Sequence, residues 1–296
     1  MSVIIISHEQ RDALRRCLDS ILAMQLSFPY EIIVSDDRST DGSYELAQEY
    51  AQNAHECNLV RIVALQCNSD ACQPANNSQR SGFNRCNAYP HAQGKYIAHV
   101  DADDYFRPNA SVYERQVAAL EAHPECALAM SNCLSIAEGE TDLTKGRPWP
   151  FPRRMKDGEV IDPHEFIRKD FFRLNQCFMQ RRNSIIDPVA LYGRRYVDSV
   201  ITYHHLQFGK VVFVDACDYV YVRTLGSVTG EMGKANKDSV ISWCLGLYIP
   251  ALIPLWTKDF YMGCYYQQIR EVILLALSGY RMQPQYYNAQ KRKEYV

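Results

Sequence analysis

Short apolar runs alternate with amphipathic segments along the first half of the chain. The runs are rich in Ile, Val and Ala and are bounded by polar residues, a pattern typical of buried strands. We therefore predict strands at residues 3–6, 31–37, 59–65, 95–100 and 126–132.

Between these runs, apolar residues recur at the spacing of an amphipathic helix. Leu14, Leu18 and Ile21 share one face of the first predicted helix. The segment "STDGSYELAQEYAQ" supplies a turn with capping residues, followed by a helix from about Tyr44. A third helix is predicted over "ASVYERQVAALEAH", with Pro108 in its first turn, where a backbone N–H is not needed.

This alternation of strands and helices predicts an α/β fold, with a mostly parallel central sheet covered by helices on both faces. In such sheets ligands bind beyond the carboxyl ends of the strands. The acidic pair Asp36-Asp37 ends a predicted strand, and the pair Asp101-Asp103 directly follows another. We therefore expect both pairs to face one crevice.

The second half of the chain has a weaker pattern. It first indicates mixed helix and loop, and then "KVVFVDACDYVYVR" at residues 210–223 predicts two short strands. Farther on the composition becomes helical and aromatic, with apolar residues at helical spacing within 265–276. We predict two parts, an α/β domain at 1–229 and a helical C-terminal extension at 230–296.

Composition and charge limit the class of partner. The 296 residues are 47% hydrophobic and 22% charged, so the chain can bury a sizeable core. The formal net charge of −2 gives no general attraction for polyanions, and we expect no nucleic-acid partner. The eleven cysteines are scattered and form no CxxC pair. This argues against a zinc site and a disulfide framework and favours a reduced, cytoplasmic chain.

Two apolar segments bear on membrane contact. The opening "MSVIIISHEQ" lacks the basic flank and long apolar run of a signal peptide, which also predicts a cytoplasmic location. The segment "WCLGLYIPALIPLW" at 243–256 is too short and too interrupted by proline to span a bilayer. It packs on the rest of the protein or on a second subunit, as in a homodimer, or it lies against a membrane surface.

Three carboxylates lie close together in "YIAHVDADDYFRPN", at Asp101, Asp103 and Asp104. Carboxylates that close repel one another and need a cation, hydrogen-bond donors or free solvent. On an extended backbone, Asp101 and Asp103 point to the same side. A divalent cation such as Mg²⁺ or Mn²⁺ suits such oxygen ligands and is commonly shared with substrate phosphates. Alternatively, these acids cap the helix after Pro108 and stay solvated.

Several segments resemble those of the family 2 glycosyltransferases, in the family's order. They are "VIIISHEQRDALRRCLDSIL", "EIIVSDDRSTDGS", "AQGKYIAHVDADDYFRPN", "YVDSVITYHHLQFGKV" and "YVRTLGSVTG", and they cover most of residues 1–230. The resemblance implies the GT-A fold, a Rossmann-like α/β architecture. It also implies transfer of a sugar from a nucleotide-diphosphate sugar, most often a UDP-sugar, with inversion at the anomeric carbon and with Mn²⁺ or Mg²⁺ as cofactor.

The resemblance further implies roles for individual residues. The turn after the first strand would wrap the nucleotide base, and an acid at the end of the second strand would hydrogen-bond that base. Asp101 would hold the ribose or diphosphate side, and Asp103, together with Asp101, would ligate the metal. The residues implied for nucleotide binding are Ser7, His8, Glu9, Asp36, Asp37 and Asp101. Without the resemblance, the turn is equally well an ordinary strand-to-helix loop.

An inverting displacement also needs a base for the acceptor hydroxyl. Aligned on the family's acidic pair, "VDSVITYHHLQFGKV" places Asp198 at the expected base, although Val197 stands where the family usually has Glu. From the residues alone, Asp198 is an N-cap of the following helix, and one Asp can do both jobs. Arg223, at the end of a predicted strand, either reaches the diphosphate as a bidentate donor or pairs with a surface acid.

The polar segment 70–94 is rich in Asn and Gln and is predicted to be a long loop at the rim of the site. The family carries a shorter "G…RN" segment at this place, which Gly82 and Arg85 match. We expect this segment to order when the donor binds.

The sequence favours a single-addition enzyme. The processive synthases of the family carry transmembrane helices and a QxxRW segment, whereas "QRRN" at 180–183 lacks the tryptophan. We expect a glycan or lipid-linked acceptor in the synthesis of a bacterial surface polysaccharide or glycoconjugate. With a lipid-linked acceptor, the C-terminal region would dock at the inner face of the membrane.

Two other functions stay open. A nucleotidyltransferase that makes the sugar nucleotide has a related architecture, but it normally opens with a glycine-rich phosphate loop, which "SHEQRDALRR" lacks. A non-catalytic domain that binds nucleotide or glycan is the other alternative. Products released from a donor distinguish the three.

Overall fold

A computed structural model describes residues 1–54, 59–72, 77–151, 153–168, 174–182, 202, 205–206 and 208–224. Twelve strands lie in these described residues. In chain order they are β1 (Ser2–Ser7), β2 (Tyr30–Asp36), β3 (Val60–Gln66), β4 (Tyr96–Asp101), β5 (Tyr105–Phe106), β6 (Cys126–Met130), β7 (Cys133–Ala137), β8 (Arg147–Pro148), β9 (Val160–Ile161), β10 (Phe178–Arg181), β11 (Lys210–Phe213) and β12 (Tyr219–Arg223).

The larger sheet contains eight of these strands, in the order β3-β2-β1-β4-β10-β6-β11-β9. The first four are parallel to one another, and β11 is parallel to β6. β10 runs antiparallel to both β4 and β6, so β6 and β11 point the same way as the first four. β9 is antiparallel to β11. The predicted mostly parallel α/β sheet is confirmed, with β10 and β9 as the exceptions.

A smaller sheet of four described strands has the order β5-β12-β7-β8. Phe106 of β5 packs edge-on against Tyr113 and Tyr219, with ring centroids 5.0 and 5.4 Å away. Because β5 starts only a few residues after β4 ends, this packing anchors the chain that follows Asp101. The two strands predicted within 210–223 are confirmed as β11 and β12.

Helices cover both faces of the larger sheet, as predicted. Successive side chains of β1 point to opposite faces. Val3 and Ile5 join the hydrophobic cluster that contains Leu14. Ile4 joins a separate cluster that contains Ala88. The described helices are α1 (Arg11–Leu22), α2 (Ser43–Asn53), α3 (Asn77–Ala88), α4 (Val112–Ala122) and α5 (Pro163–Arg168).

The helix predicted to contain Pro108 in its first turn begins later, at Val112. The backbone N–H of Arg107 donates to the backbone oxygen of Asp218 at 2.8 Å. The N–H of Ser111 donates to the side chain of the same aspartate at 2.8 Å. These bonds hold the segment against the loop before β12, so the prediction for Pro108 is wrong.

The segment 70–94 is not one long loop, because it contains α3. The buried side of this helix includes Asn84 and Arg85, which are 3% and 1% exposed. A helix that buries polar groups has no apolar stripe, so hydrophobic periodicity does not indicate it.

None of the helices in the described ranges is long and apolar enough to cross a bilayer. The predicted extension at 230–296, with its segment 243–256, lies outside the described residues. The boundary after residue 229 therefore stays a prediction.

Gly94 lies where the chain entering β4 approaches the start of β1. A Cβ at this position would lie 2.5 Å from the carbonyl carbon of Met1 and from the backbone nitrogen of Ser2. We expect Gly94→Ala to lower the free energy of unfolding by about 3 kcal/mol, because the backbone atoms must move aside. Urea unfolding followed by circular dichroism measures the change.

Gly139→Ala is the control for this variant. No atom lies within 4 Å of a Cβ at Gly139, although its φ of +79° is unfavourable for alanine. Backbone strain alone should cost about 1 kcal/mol there. An equal loss in the two variants would contradict the close approach at Gly94.

Candidate active site

The register of the parallel strands brings the predicted acidic segments to one edge of the sheet. Ser7 at the end of β1 is paired with Asp36 at the end of β2. Ile6 of β1 is paired with Asp101 at the end of β4. The two acidic segments therefore flank the end of β1, at the carboxyl edge where the sequence predicts a crevice.

Asp36 is fully buried and closes the turn after β2. Its two carboxylate oxygens accept hydrogen bonds from the backbone N–H and the hydroxyl of Ser39, at 2.8 and 2.6 Å. Burial raises the pKa of Asp36, while the two bonds from Ser39 oppose the rise. The carboxylate is engaged within the protein, and its contact with a nucleotide base stays a prediction.

Asp37 is also buried and ties the end of β2 to the segments that follow β3. Its carboxylate accepts hydrogen bonds from the backbone N–H of Ser69, at 2.9 Å, and from the Ser69 hydroxyl. Nη1 of Arg80 in α3 lies 3.5 Å from the same carboxylate. Arg80 also pairs with Asp70. The charge of Asp37 is thus compensated from within the protein.

The turn after β1 lies against this acidic turn. Ser7 is buried, and its backbone oxygen accepts a hydrogen bond from the N–H of Asp37 at 2.9 Å. His8 is exposed, with Nδ1 2.9 Å from the backbone oxygen of Asp37. Glu9 adopts a φ of +53° and accepts a hydrogen bond from the N–H of Thr40 at 2.7 Å. His8 and Glu9 are therefore the accessible side chains of this turn.

Asp101 is held from both sides by buried side chains. Nη2 of Arg85 donates to one carboxylate oxygen at 2.5 Å, and the side-chain amide of Gln176 donates to the other. The Arg85 side chain is 2% exposed and that of Asp101 is 33% exposed. A buried guanidinium needs a counter-charge, so this pair fixes Asp101 in one orientation.

Asp104 points into the protein, toward the smaller sheet. Its carboxylate accepts hydrogen bonds from the Tyr219 hydroxyl and from the backbone N–H of Val222, the latter at 2.8 Å. Burial, and then the charges of Asp103 and Asp101, raise the pKa of Asp104 well above its usual value. Asp104 anchors the turn and is not exposed to a ligand.

Asp103 is the carboxylate that lacks such partners. Among the described residues, no other residue donates a hydrogen bond to its carboxylate. Its backbone oxygen accepts a hydrogen bond from Nη2 of Arg16 at 3.0 Å. Burial, and then the charge of Asp101, raise the pKa of Asp103 to about 6. The ionised form is therefore short of positive charge, a deficit that a bound cation relieves.

The geometry favours Asp103 over Asp101 as a metal ligand. No group of three or more side chains that could hold a metal occurs within the described ranges. Mg²⁺ or Mn²⁺ bound through substrate phosphates needs only one or two protein carboxylates. Within the described ranges the partly buried Asp103 forms no ion pair, whereas Asp101 forms one with Arg85.

The roles of Asp198 and Arg223 stay predictions. Asp198 lies outside the described residues. Arg223 is the exposed last residue of β12, and its contact with a diphosphate is a prediction from the sequence.

Sequence reasoning did not assign roles to Arg80, Arg85 and Gln176, which compensate the carboxylates. Arg85 is separated from Asp101 by 16 positions and Gln176 by 75. Only the match of Arg85 to the family segment singled it out beforehand. The sequence did not indicate a role for Gln176, because its contact with Asp101 depends on the tertiary structure that brings residue 176 next to the end of β4.

Comparison with known proteins gives the family of the chain. The model of glycosyl transferase family 2 matches residues 2–187. The chain is 32% identical over 227 residues to the poly(ribitol-phosphate) beta-glucosyltransferase of Bacillus spizizenii, and the match covers 75% of this chain and 32% of that protein. The chain spans 58% or less of the length of the curated relatives it matches.

Solved structures have the same fold. S. aureus TarS 1-349, in complex with UDP-GlcNAc, matches with a TM-score of 0.59 at 18% identity, over 81% of this chain and 63% of that one. The mannosyltransferase PcManGT from Pyrobaculum calidifontis, in complex with GDP-Man and Mn²⁺, matches with a TM-score of 0.51 at 13% identity. The match covers 99% of this chain and 79% of that one. At such identities the likeness shows the fold alone, and the predicted GT-A architecture is confirmed. The chain belongs to glycosyl transferase family 2.

Proposed function

We propose that this protein transfers a sugar from a nucleotide-diphosphate sugar to a hydroxyl group of an acceptor. The observation that carries the proposal is the crowded carboxyl edge, where Asp103 lies beside Asp101 without a donor among the described residues. Two proteins of the same fold, solved with UDP-GlcNAc and with GDP-Man, support a nucleotide sugar as donor. The choice of a UDP-sugar rests on the family resemblance.

The nucleotide is proposed to lie over the end of β1. The exposed His8 and Glu9 would border the base, and the buried Ser7 would contribute through the backbone. Asp36 and Asp37 would line the same end of the sheet. Both carboxylates accept hydrogen bonds from within the protein, Asp36 from Ser39 and Asp37 from Ser69.

Mn²⁺ or Mg²⁺ is the proposed cofactor. Held between Asp103 and the diphosphate, the ion would neutralise the charge that grows on the leaving group. The structure of PcManGT with Mn²⁺ supports this choice. Arg85 and Gln176 hold Asp101 so that its exposed edge would face the ribose or diphosphate.

The transfer is proposed to invert the anomeric centre. The acceptor oxygen forms a bond to the anomeric carbon while the bond from that carbon to the diphosphate oxygen breaks. The acceptor hydroxyl proton passes to a carboxylate on the opposite face from the diphosphate. The family resemblance assigns this base to Asp198 and a diphosphate contact to Arg223.

The acceptor is proposed to be a glycan or a lipid-linked glycan. The Bacillus spizizenii relative is named a poly(ribitol-phosphate) beta-glucosyltransferase, which supports a role in the synthesis of a bacterial surface polysaccharide or glycoconjugate. The proposal of single additions rests on the missing tryptophan at residues 180–183. We propose a cytoplasmic location, with residues 230–296 as a separate helical extension that contacts a membrane surface or a second subunit.

A thermal-shift panel of UDP- and GDP-sugars, with and without Mn²⁺, tests the donor. We expect at least one nucleotide sugar to raise the melting temperature, and to raise it more with Mn²⁺, because a ligand that binds the folded state stabilises it by mass action. Asp103→Ala should lose the part of the rise in melting temperature that depends on Mn²⁺. Asp198→Ala should keep donor binding and lose transfer.

The products released from the donor that binds decide the reaction class. Slow formation of a nucleoside diphosphate is expected of a transferase without its acceptor. Release of pyrophosphate from a nucleoside triphosphate and a sugar 1-phosphate, with no nucleoside diphosphate formed from the nucleotide sugar, would identify a nucleotidyltransferase instead. Tight binding with no product would identify a non-catalytic binding domain. Either of these two outcomes would overturn the proposed function.

Asp103 should weaken the metal-free fold at neutral pH. Its pKa is raised from the ordinary 3.8 to about 6, so between these values the folded state binds more protons than the unfolded state. Stability therefore falls as pH rises through this window. We expect Asp103→Asn to raise the melting temperature by about 5 °C at pH 7.5 in EDTA, with the gain disappearing near pH 4. A lower melting temperature at pH 7.5 would contradict the account.

Asp101 should have the opposite effect on stability. Asp101→Ala leaves the buried guanidinium of Arg85 without its counter-charge, and we expect a loss of about 3 kcal/mol in the free energy of unfolding. Urea unfolding in EDTA measures it, with Asp103→Ala as the matched control two positions away. Adding Arg85→Leu to Asp101→Ala should recover part of the loss. Equal losses for the two aspartates would show that Arg85 is not the reason.

A further inference from the structure

Helix α1 contacts the turn that carries Asp103 at two points of one face. Nη2 of Arg16 donates to the backbone oxygen of Asp103 at 3.0 Å. One turn of helix later, the hydroxyl oxygen of Ser20 accepts a hydrogen bond from the N–H of Phe106 at 3.0 Å. The backbone that follows β4 is therefore held by side chains of α1.

Arg16 is the charged member of this contact. Its Cζ lies 4.6 Å from the centroid of the Tyr105 ring, within the range of a cation–π interaction. The side chain is exposed. No carboxylate among the described residues forms an ion pair with Arg16. Both contacts of its side chain are with the turn that carries Asp103.

The other side of the turn is fixed independently of α1. The side chain of Asp104 is held by the Tyr219 hydroxyl and the backbone N–H of Val222. The carbonyl that Arg16 holds belongs to the peptide between Asp103 and Asp104. With both ends of this peptide held, the direction in which the Asp103 side chain leaves the backbone is set.

We propose that Arg16 is a positioning residue that, by holding the backbone oxygen of Asp103, presents the Asp103 carboxylate to a cation bound on the donor diphosphate. This inference rests on the proposed function and adds to it a residue of α1. Arg16 acts through Asp103 and not on the nucleotide. Its removal should therefore affect only binding that depends on the metal.

The test is a double-mutant cycle read out by nucleotide affinity. Calorimetry gives the affinities for UDP and GDP, with and without Mn²⁺, for Arg16→Ala, Asp103→Ala and the double variant. We expect the factor by which Mn²⁺ increases nucleotide affinity to be about tenfold smaller in Arg16→Ala than in the wild type. The affinity measured without metal should be unchanged. In the Asp103→Ala background, Arg16→Ala should cause no further loss.

Two matched variants complete the design. Arg15→Ala removes the same type of side chain from the neighbouring helical position, which points about 100° away, and should bind like the wild type. Arg16→Lys keeps a cationic donor and should restore part of the gain from Mn²⁺. Melting temperatures of the single variants at Arg15 and Arg16 in EDTA should stay near that of the wild type, because neither side chain is buried.

Three outcomes would overturn the proposal. If Arg16→Ala weakens nucleotide binding equally without Mn²⁺, or further in the Asp103→Ala background, Arg16 contacts the nucleotide directly. If its melting temperature and all affinities fall together, its role is structural. If the wild type binds neither nucleotide more tightly with Mn²⁺, the proposed function itself fails, which the wild-type data alone reveal.

Discussion

The carboxyl edge of the parallel strands gathers five aspartates, whose mutual repulsion must be compensated. Four of them, Asp36, Asp37, Asp101 and Asp104, accept hydrogen bonds from within the protein. Asp103 is the fifth, and no other residue among those described donates to its carboxylate. The fold thus leaves one partly buried charge uncompensated at the edge where parallel sheets bind ligands, which is the physical basis of the proposed donor site.

Three arginines reach this edge from helices on opposite faces of the sheet. From one face, α3 brings Arg80 to Asp37 and Arg85 to Asp101. From the other, α1 brings Arg16 to the backbone of Asp103. A helix that buries Asn84 and Arg85 cannot also present a continuous apolar stripe. The polar character of 77–88 is therefore linked to the site, and conflicts between local pattern and fold are expected at such places.

Sequence reasoning reached the central sheet because its strands are buried on both faces. The strands β1, β2 and β4 are almost wholly buried and each contains a run of apolar residues, and the acids at the ends of β2 and β4 marked the edge in advance. It missed α3 because the helix buries Asn84 and Arg85. The resemblance gave Asp101 and Asp103 different roles, but the residues alone could not distinguish them, since this difference depends on partners as distant along the chain as Gln176.

A crystal structure of the protein soaked with a nucleoside diphosphate and Mn²⁺ tests the central claim most directly. The account predicts Mn²⁺ bonded to a carboxylate oxygen of Asp103 and to the diphosphate, with Asp101 still paired to Arg85. Mn²⁺ held by Asp101 after that pair has broken, or an Asp103 carboxylate directed into solvent away from the nucleotide, would contradict it.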